Sequence, residues 1–113
     1  MDCLFCKISN GEIPADIVYQ DDQVLAFRDI SPQAPTHILV IPRQHIATLN
    51  DAGDADAPLL GQLMRIASQL ASEAGCAEEG YRVVMNCNAG AGQTVFHIHL
   101  HLLCGRPMHW PPG

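Results

Sequence analysis

The sequence is short of cations and of aromatic residues. Twelve acidic residues oppose six Lys and Arg, which gives a formal net charge of −6, and aromatic residues make up only 5%. Binding to nucleic acid without sequence preference depends on many Lys and Arg contacts to phosphates, so this balance argues against a nucleic-acid polymer as partner. A small anionic ligand needs only one local pocket and is still allowed.

Long hydrophobic segments are also missing. The most apolar run, residues 38–41, stops at Pro42 and falls far short of the ~20 residues that cross a bilayer. The first residues lack a basic stretch followed by an apolar one, which argues against a secretory signal peptide. Five cysteines is an odd number, which favours a reducing compartment with free thiols or metal ligands over a disulfide framework. We therefore expect a cytoplasmic protein without a membrane partner.

The apolar pattern that is present fits a single domain over residues 1–113. Apolar residues recur every three to four positions between Leu59 and Ala74 and predict one long helix, with Asp56 as its cap and Gly75 as its stop. Short apolar runs predict strands at 17–19, 24–27, 38–41, 81–86 and 95–103. Predicted strands that precede and follow one long helix along the chain indicate an α+β domain with an antiparallel sheet.

Three histidines alternate with aliphatic residues in the last predicted strand: His97, His99 and His101. Alternate side chains of a strand share a face, about 6.6 Å apart, so the imidazoles would lie on one half-exposed face. The residues between and after them, Ile98, Leu100 and Leu102, would point into the core. Such a row is consistent with solvent-facing polar residues, with a metal site or with nucleophilic catalysis. The glycine-rich turn just upstream favours catalysis, because backbone N–H groups in such turns bind phosphate.

The segment from His97 to Leu103 resembles the His-φ-His-φ-His-φ-φ signature of the histidine triad nucleotide-binding proteins. The resemblance extends to residues 29–37, 41–42, 92–93 and 108–113, and is to the branch that acts on nucleoside phosphoramidates. It implies an antiparallel sheet with one long helix and a short N-terminal helix. It also implies a purine nucleoside phosphoramidase that works through a nucleotidyl-histidine and needs no catalytic cofactor. The alternatives are a dinucleoside polyphosphate or nucleotide-sugar enzyme of the same superfamily and a non-catalytic nucleotide- or zinc-binding protein.

The same resemblance assigns roles to individual residues. His99 would be the nucleophile, His101 would contact the phosphate, and His37 would belong to the same polar site. Residues that would hold the phosphate and the leaving group are Asn86, Gly92, Gln93 and Thr94, and the Thr94 hydroxyl is counted with the catalytic groups. Asp29 would accept hydrogen bonds from both ribose hydroxyls. The nucleoside pocket would be lined by Leu4, Phe5, Ile8, Phe27 and Ile30, each of which could equally be ordinary core.

The cysteines and the C-terminal tail carry the remaining expectations. Some members of the family bind zinc through two cysteines and two histidines, and the matching residues here are Cys3, Cys6, His45 and His97. Such a closed site would be structural, the alternative being a pair of idle thiols. Cys76, Cys87 and Cys104 are expected to be small buried residues. Arg28 is expected to be a surface cation, the alternative being a residue that tunes base preference. The resemblance further implies a homodimer in which the tail packs near the partner's active site.

Overall fold

The structure is a computed structural model that describes residues 2–113 and has an α+β architecture. In chain order the helices and strands are α1 (Leu4–Ser9), β1 (Ile17–Gln20), β2 (Val24–Arg28), β3 (Thr36–Pro42), α2 (Ala57–Glu73), β4 (Arg82–Val84) and β5 (Leu100–Cys104). Short 3₁₀ turns lie at Leu49–Asp51, Asp54–Asp56 and Ala89–Ala91. The strands form one antiparallel sheet in the order β1-β2-β3-β5-β4. The predicted fold class, with one long and one short N-terminal helix, is confirmed.

The two faces of the sheet carry separate cores, because successive side chains of a strand point to opposite faces. One face packs against α2, and its buried residues include Val24, Ala26, Val40, Leu100, Leu102, Leu63, Ile66 and Leu70. The other face packs against α1, through Leu25, Phe27, Leu39, Ile41, Phe5 and Ile8. His101 pairs directly with Leu39 across β3 and β5, and His37 lies two residues before Leu39. Both histidines therefore lie on the face that α1 covers.

Helix α2 follows the predicted pattern except at its first turn. Asp56 precedes the helix as expected, but its carboxylate accepts the N–H of Gly53 at 2.8 Å instead of capping the helix. The helix ends at Glu73, and Gly75 then takes a φ of 79°, a conformation that glycine adopts without penalty. Within residues 2–113, neither helix has the length and hydropathy that a bilayer span requires.

The last predicted strand is only partly formed, and this changes the placement of the histidines. Strand β5 begins at Leu100, because the N–H of Ile98 donates to the carbonyl of Ile46 at 2.8 Å and not to a neighbouring strand. The expectation of one half-exposed row was wrong, since His97 and His99 are buried with 0% and 8% of their surface exposed. The burial of the alternating aliphatic residues is confirmed. Strand β4 is likewise shorter than the predicted 81–86.

The cysteines differ from the expectation of free thiols or metal ligands. Cys76 and Cys104 form a disulfide. Cys76 comes just after α2 and Cys104 ends β5, which brings their Cα atoms to 6.3 Å, within the range that a disulfide spans. Both are buried as expected, whereas Cys87 is half-buried. Cys3, Cys6 and Cys87 keep free thiols.

Candidate active site

His99 is held in one orientation and one protonation form. The Phe5 ring of α1 packs against it edge to face with centroids 5.0 Å apart, and the His101 ring lies 4.9 Å away on centroids. Nδ1 of His99 lies 2.8 Å from the backbone oxygen of His97, so Nδ1 carries the proton and donates it to that oxygen. A neutral imidazole has one N–H, and Nε2 of His99 therefore keeps a free lone pair. This is the form that attacks an electrophile.

His37 and His101 form a hydrogen-bonded pair whose proton positions follow from a backbone group. The N–H of Gln33 donates to Nδ1 of His37 at 3.0 Å, so that nitrogen is an acceptor. The proton of neutral His37 is then on Nε2, which donates to Nδ1 of His101 at 2.9 Å. His101 in turn must hold its own proton on Nε2. The Nε2–H of His101 is therefore the free donor of the pair. It belongs to a ring that lies beside His99, and it is suited to a hydrogen bond with a phosphoryl oxygen.

Burial keeps this cluster uncharged at neutral pH. The pKa of His99 is lowered from 6.5, chiefly by desolvation, although its hydrogen bond to His97 and the charge of Asp29 oppose the shift. The pKa of His101 falls to about 4, because desolvation and the neighbouring His99 and His37 all disfavour its cation. Desolvation also lowers the pKa of His37. His99, His37 and His101 are thus all mainly neutral at pH 7.

Asp29 lies in the loop after β2, beside the histidine pair. One carboxylate oxygen accepts the N–H of Ser31 at 2.8 Å, and the other lies 3.5 Å from Nε2 of His37. The side chain is 20% exposed, so unused lone pairs face solvent. A carboxylate fixed in this way is able to accept further hydrogen bonds from adjacent hydroxyl groups, as the ribose assignment requires.

The apolar residues assigned to a nucleoside pocket divide into two groups. Phe5, Phe27 and Ile8 are buried, and the two phenyl rings meet edge to face at 5.4 Å. In contrast, Ile30 is 99% exposed and Leu4 is 46% exposed. Phe5 of the buried group packs against His99, and Ile30 offers a free apolar surface next to Asp29. Their contacts with a base stay predictions. Arg28 is exposed and lies 3.4 Å from Asp16, as a surface cation would.

The glycine-rich turn is closed by its own hydrogen bonds. Gly92 has a φ of 97°, and its N–H donates to Ala89. The N–H of Gln93 donates to Asn88, and the buried Gln93 side chain donates to two backbone carbonyls and accepts the N–H of Asn88. Gln93 therefore shapes the turn and does not present a free amide donor. Its predicted contact with phosphate, like that of Gly92, stays a prediction.

Two side chains flank this turn and are better placed to meet a ligand. A Cβ at Gly92 would lie 3.9 Å from Nδ2 of Asn86, which puts the Asn86 amide against the turn. Thr94 follows the turn and is exposed. An amide and a hydroxyl group therefore flank the turn. The family resemblance assigned both residues to the phosphate and the leaving group, which stays a prediction.

The four residues proposed as zinc ligands meet at one place. Sγ of Cys3 and Sγ of Cys6 lie 3.4 and 3.6 Å from Nδ1 of His97, and Nδ1 of His45 lies 3.5 Å from Sγ of Cys6 and 3.3 Å from Nδ1 of His97. All four donor atoms lie within 4.8 Å of one another. A tetrahedral zinc with ordinary bond lengths places sulfur and nitrogen ligands about 3.5 Å apart and two nitrogens about 3.3 Å apart. The observed distances match these edges.

The protonation of His97 also fits a metal ligand. Its Nε2 lies 2.7 Å from the backbone oxygen of Pro42 and donates to it, which leaves the lone pair of Nδ1 facing the thiols. Burial and the hydrogen bond to Cys3 raise the pKa of the Cys6 thiol. The residues present therefore fit a structural zinc ion.

Sequence reasoning found the histidines and cysteines but missed the groups that orient them. The N–H of Gln33 and the carbonyls of His97 and Pro42 are backbone atoms and leave no signal in side-chain chemistry. The two prolines around Gln33 are the one available hint, because they restrict the loop that carries its N–H.

The chain matches known proteins over nearly its whole length. The sequence profile of the HIT domain matches residues 10–108. The chain is 56% identical to the purine nucleoside phosphoramidase of Escherichia coli (strain K12) over 105 residues, which cover 93% of this chain and 88% of that protein. A HIT family hydrolase from Legionella pneumophila Philadelphia 1 is 60% identical, with a TM-score of 0.98 and coverage of 99% of this chain and 100% of that one. A histidine triad protein from Clostridium difficile is 45% identical, with a TM-score of 0.93 and coverage of 96% and 95%.

Proposed function

Because this chain belongs to the HIT family of hydrolases, we propose that its substrates are purine nucleoside 5′-phosphoramidates, such as adenosine 5′-monophosphoramidate or AMP-lysine. The observation that carries the proposal is the protonation of the buried histidines. His99 has a free Nε2 lone pair, and His101 has an Nε2–H donor beside it. The similarity to a protein named purine nucleoside phosphoramidase supports the same substrate class.

The first half of the reaction forms a nucleotidyl-histidine. Nε2 of His99 attacks the α-phosphorus, and the P–N bond breaks with its electron pair going to nitrogen. The exposed Thr94 hydroxyl passes a proton from solvent to that nitrogen, so the leaving group departs as a neutral amine. The Nε2–H of His101 and the Asn86 amide donate to the phosphoryl oxygens, where negative charge grows in the transition state.

Water completes the cycle by attacking the same phosphorus. The bond between phosphorus and His99 Nε2 breaks, the nucleoside monophosphate leaves, and the water proton goes to solvent. Nδ1 of His99 keeps its proton throughout, because it donates to the carbonyl of His97. The imidazole therefore leaves as a neutral group, which is a far better leaving group than an imidazolate. One side chain both attacks and departs, and the displacement is divided into two easier steps.

Steady-state hydrolysis of an adenosine phosphoramidate by wild type and His99→Ala tests this function. We expect the substitution to abolish turnover while AMP binding stays detectable by calorimetry, because only the nucleophile is lost. Gln69→Ala, on the exposed side of α2, is the matched surface control and should turn over at the wild-type rate. Equal rates for wild type and His99→Ala would contradict the assignment. Faster turnover of a dinucleoside polyphosphate than of the phosphoramidate would contradict the substrate class.

We further propose that Cys3, Cys6, His45 and His97 hold a structural zinc ion. The fit of the four donor atoms to tetrahedral edges supports this, as does the free Nδ1 lone pair of His97. When bound, the ion would cross-link α1 to the segment that carries the nucleophile. Since the carbonyl of His97 accepts the hydrogen bond from Nδ1–H of His99, fixing His97 also fixes the proposed nucleophile. The ion takes no part in the chemical steps.

We also propose a cytoplasmic homodimer. Strand β4 lies at one edge of the sheet, and the tail is tied beside it by a 2.7 Å hydrogen bond from Nη2 of Arg82 to the carbonyl of His109. Trp110 is 83% exposed, an apolar area that a second subunit would cover. The cytoplasmic location rests on Cys3 and Cys6, which have free thiols and must stay reduced to bind zinc, whereas the Cys76–Cys104 disulfide argues against it.

A further inference from the structure

A second group of metal-binding residues lies in the catalytic site itself. Asp29, His37 and His101 bring a carboxylate oxygen and two ring nitrogens within 4.8 Å of one another. Two histidines and one carboxylate are a common ligand set for divalent transition metals. A metal ion there would remove the donor that faces the phosphate. An enzyme that takes up zinc a short distance away must therefore keep it out of this cluster.

The distances within this cluster differ from those of the Cys3, Cys6, His45 and His97 cluster. Nε2 of His37 and Nδ1 of His101 are 2.9 Å apart, which is a hydrogen-bond distance. Two nitrogens on one tetrahedral zinc ion would be about 3.3 Å apart. His37 and His101 are therefore joined by a hydrogen bond. The Cys3, Cys6, His45 and His97 cluster has instead the spacing of a metal site.

The backbone N–H of Gln33 explains why His37 and His101 stay hydrogen-bonded to each other. It donates to Nδ1 of His37 at 3.0 Å, so the lone pair of that nitrogen is in use. A metal ion on Nε2 of His37 would have to displace the proton from that nitrogen. Because Nδ1 is already an acceptor, the ring would then carry no proton and would be an imidazolate. The alternative, moving the proton to Nδ1, sets two N–H groups against each other. Either change carries a large free-energy cost at neutral pH.

The loop around Gln33 holds this N–H in place. Nε of Arg106 donates to the Gln33 carbonyl at 2.9 Å, which anchors the backbone on the C-terminal side of Gln33 to the segment after β5. Pro35 packs so closely on Gly105 that a Cβ at position 105 would lie 2.8 Å from Cβ of Pro35. The Gln33 side chain is exposed and donates only to Ser31. The loop thus fixes the peptide group of Gln33 independently of its side chain.

We propose that the backbone N–H of Gln33 is a positioning group that commits His37 and His101 to a metal-free, directional donor pair. It acts through His37 and touches no substrate. The inference rests on the proposed function, because the donor pair is useful only if a phosphate binds beside it. The hydrogen bonds and their test do not require turnover. It assigns a role in metal selectivity to a group that side-chain chemistry does not reveal.

The first measurement uses the zinc-loaded wild-type protein. Long-range ¹H–¹⁵N NMR correlations distinguish the two neutral tautomers of each histidine. We expect the Nε2–H form for His37 and His101 and the Nδ1–H form for His99 at pH 7.5. An Nδ1–H form or a charged ring for His37 would overturn the proposal. This result stands whether or not any variant folds.

The second measurement removes only the N–H. A semisynthetic protein with an ester bond at position 33 replaces that N–H by oxygen, and Gln33→Ala is the control that loses the side chain and keeps the N–H. Each zinc-loaded protein is titrated with Co²⁺ and followed by visible absorption. We expect the ester protein to bind Co²⁺ at least about tenfold more tightly than wild type and Gln33→Ala, with paramagnetic loss of the His37 and His101 signals. Equal Co²⁺ affinity in all three proteins would overturn the proposal.

The two proposals fail in different ways. If the phosphoramidase assay fails while the tautomers and the Co²⁺ affinities follow expectation, the role of Gln33 holds and the substrate class does not. If hydrolysis is found but the ester leaves the tautomers and Co²⁺ binding unchanged, the substrate class holds and the role of Gln33 does not.

Discussion

Acidification probes the buried histidines directly, because their activity depends on staying neutral. A histidine with the ordinary pKa of 6.5 would be only about 9% neutral at pH 5.5. His101, whose pKa is lowered to about 4 by burial and by its histidine neighbours, would be about 97% neutral there. The pKa of His99 is lowered as well, mainly by burial. The structure therefore predicts that the acid limb of kcat/KM has its midpoint below pH 6.5, so that the loss at pH 5.5 is less than tenfold.

The assay is kcat/KM for an adenosine phosphoramidate from pH 8 to pH 4, since this parameter reports the groups of the free enzyme. Phosphoramidates hydrolyse spontaneously in acid, so the rate with His99→Ala is subtracted at each pH. Circular dichroism at each pH shows that the protein stays folded. An acid limb with its midpoint at 6.5 or above, which lowers the rate about tenfold by pH 5.5, would refute the reasoning.

The same shifts determine how stability depends on pH. Below pH 6.5 the unfolded chain takes up protons on these histidines while the folded chain does not, so stability falls as the pH drops. One such group contributes a slope of at most about 1.4 kcal/mol per pH unit. For His101 this loss begins near its unfolded value of 6.5 and levels off below about 4. Above pH 7 the contribution is fully present.

Three further variants test the ribose contact, the zinc site and the dimer. Asp29→Ala should weaken AMP binding about 10- to 100-fold but 2′-deoxy-AMP binding much less, because only the ribose offers two hydroxyls; equal losses in calorimetry would make Asp29 structural. Wild type purified without chelator should contain about one zinc per chain by elemental analysis, and Cys3→Ser/Cys6→Ser none, with a lower melting temperature; metal-free wild type would count against the site. Light scattering should give twice the mass of one chain, and a smaller mass for Trp110→Ala at low concentration; a wild-type monomer would exclude the dimer.

The fold was largely predictable because its elements have strong local signals. The apolar stripe of α2 matches the helical period, and the short continuous apolar runs of β2 and β3 are typical of strands buried on both faces. The segment before β5 was misread, because its alternation of His and aliphatic residues is the pattern of a half-exposed strand. The N–H of Ile98 bonds to Ile46 instead, and this long-range contact cannot be read from local spacing.

The identity of the chemical groups was predictable, but their states were not. The spacing of His97, His99 and His101 and the resemblance to a family pointed to the same residues that the fold brings together. Which nitrogen carries each proton depends on backbone atoms of His97 and Gln33, which any residue would supply. The Cys76–Cys104 disulfide was missed for a similar reason, since only the packing of α2 on β5 brings the two together.

The stereochemistry at phosphorus tests the central claim most directly. A phosphoramidate made chiral by sulfur in place of one oxygen, with known configuration, is hydrolysed in ¹⁸O-labelled water, and the configuration of the product is determined. Two successive displacements, first by His99 and then by water, predict overall retention. Inversion would mean that water attacks the substrate directly, and it would contradict the nucleotidyl-histidine intermediate.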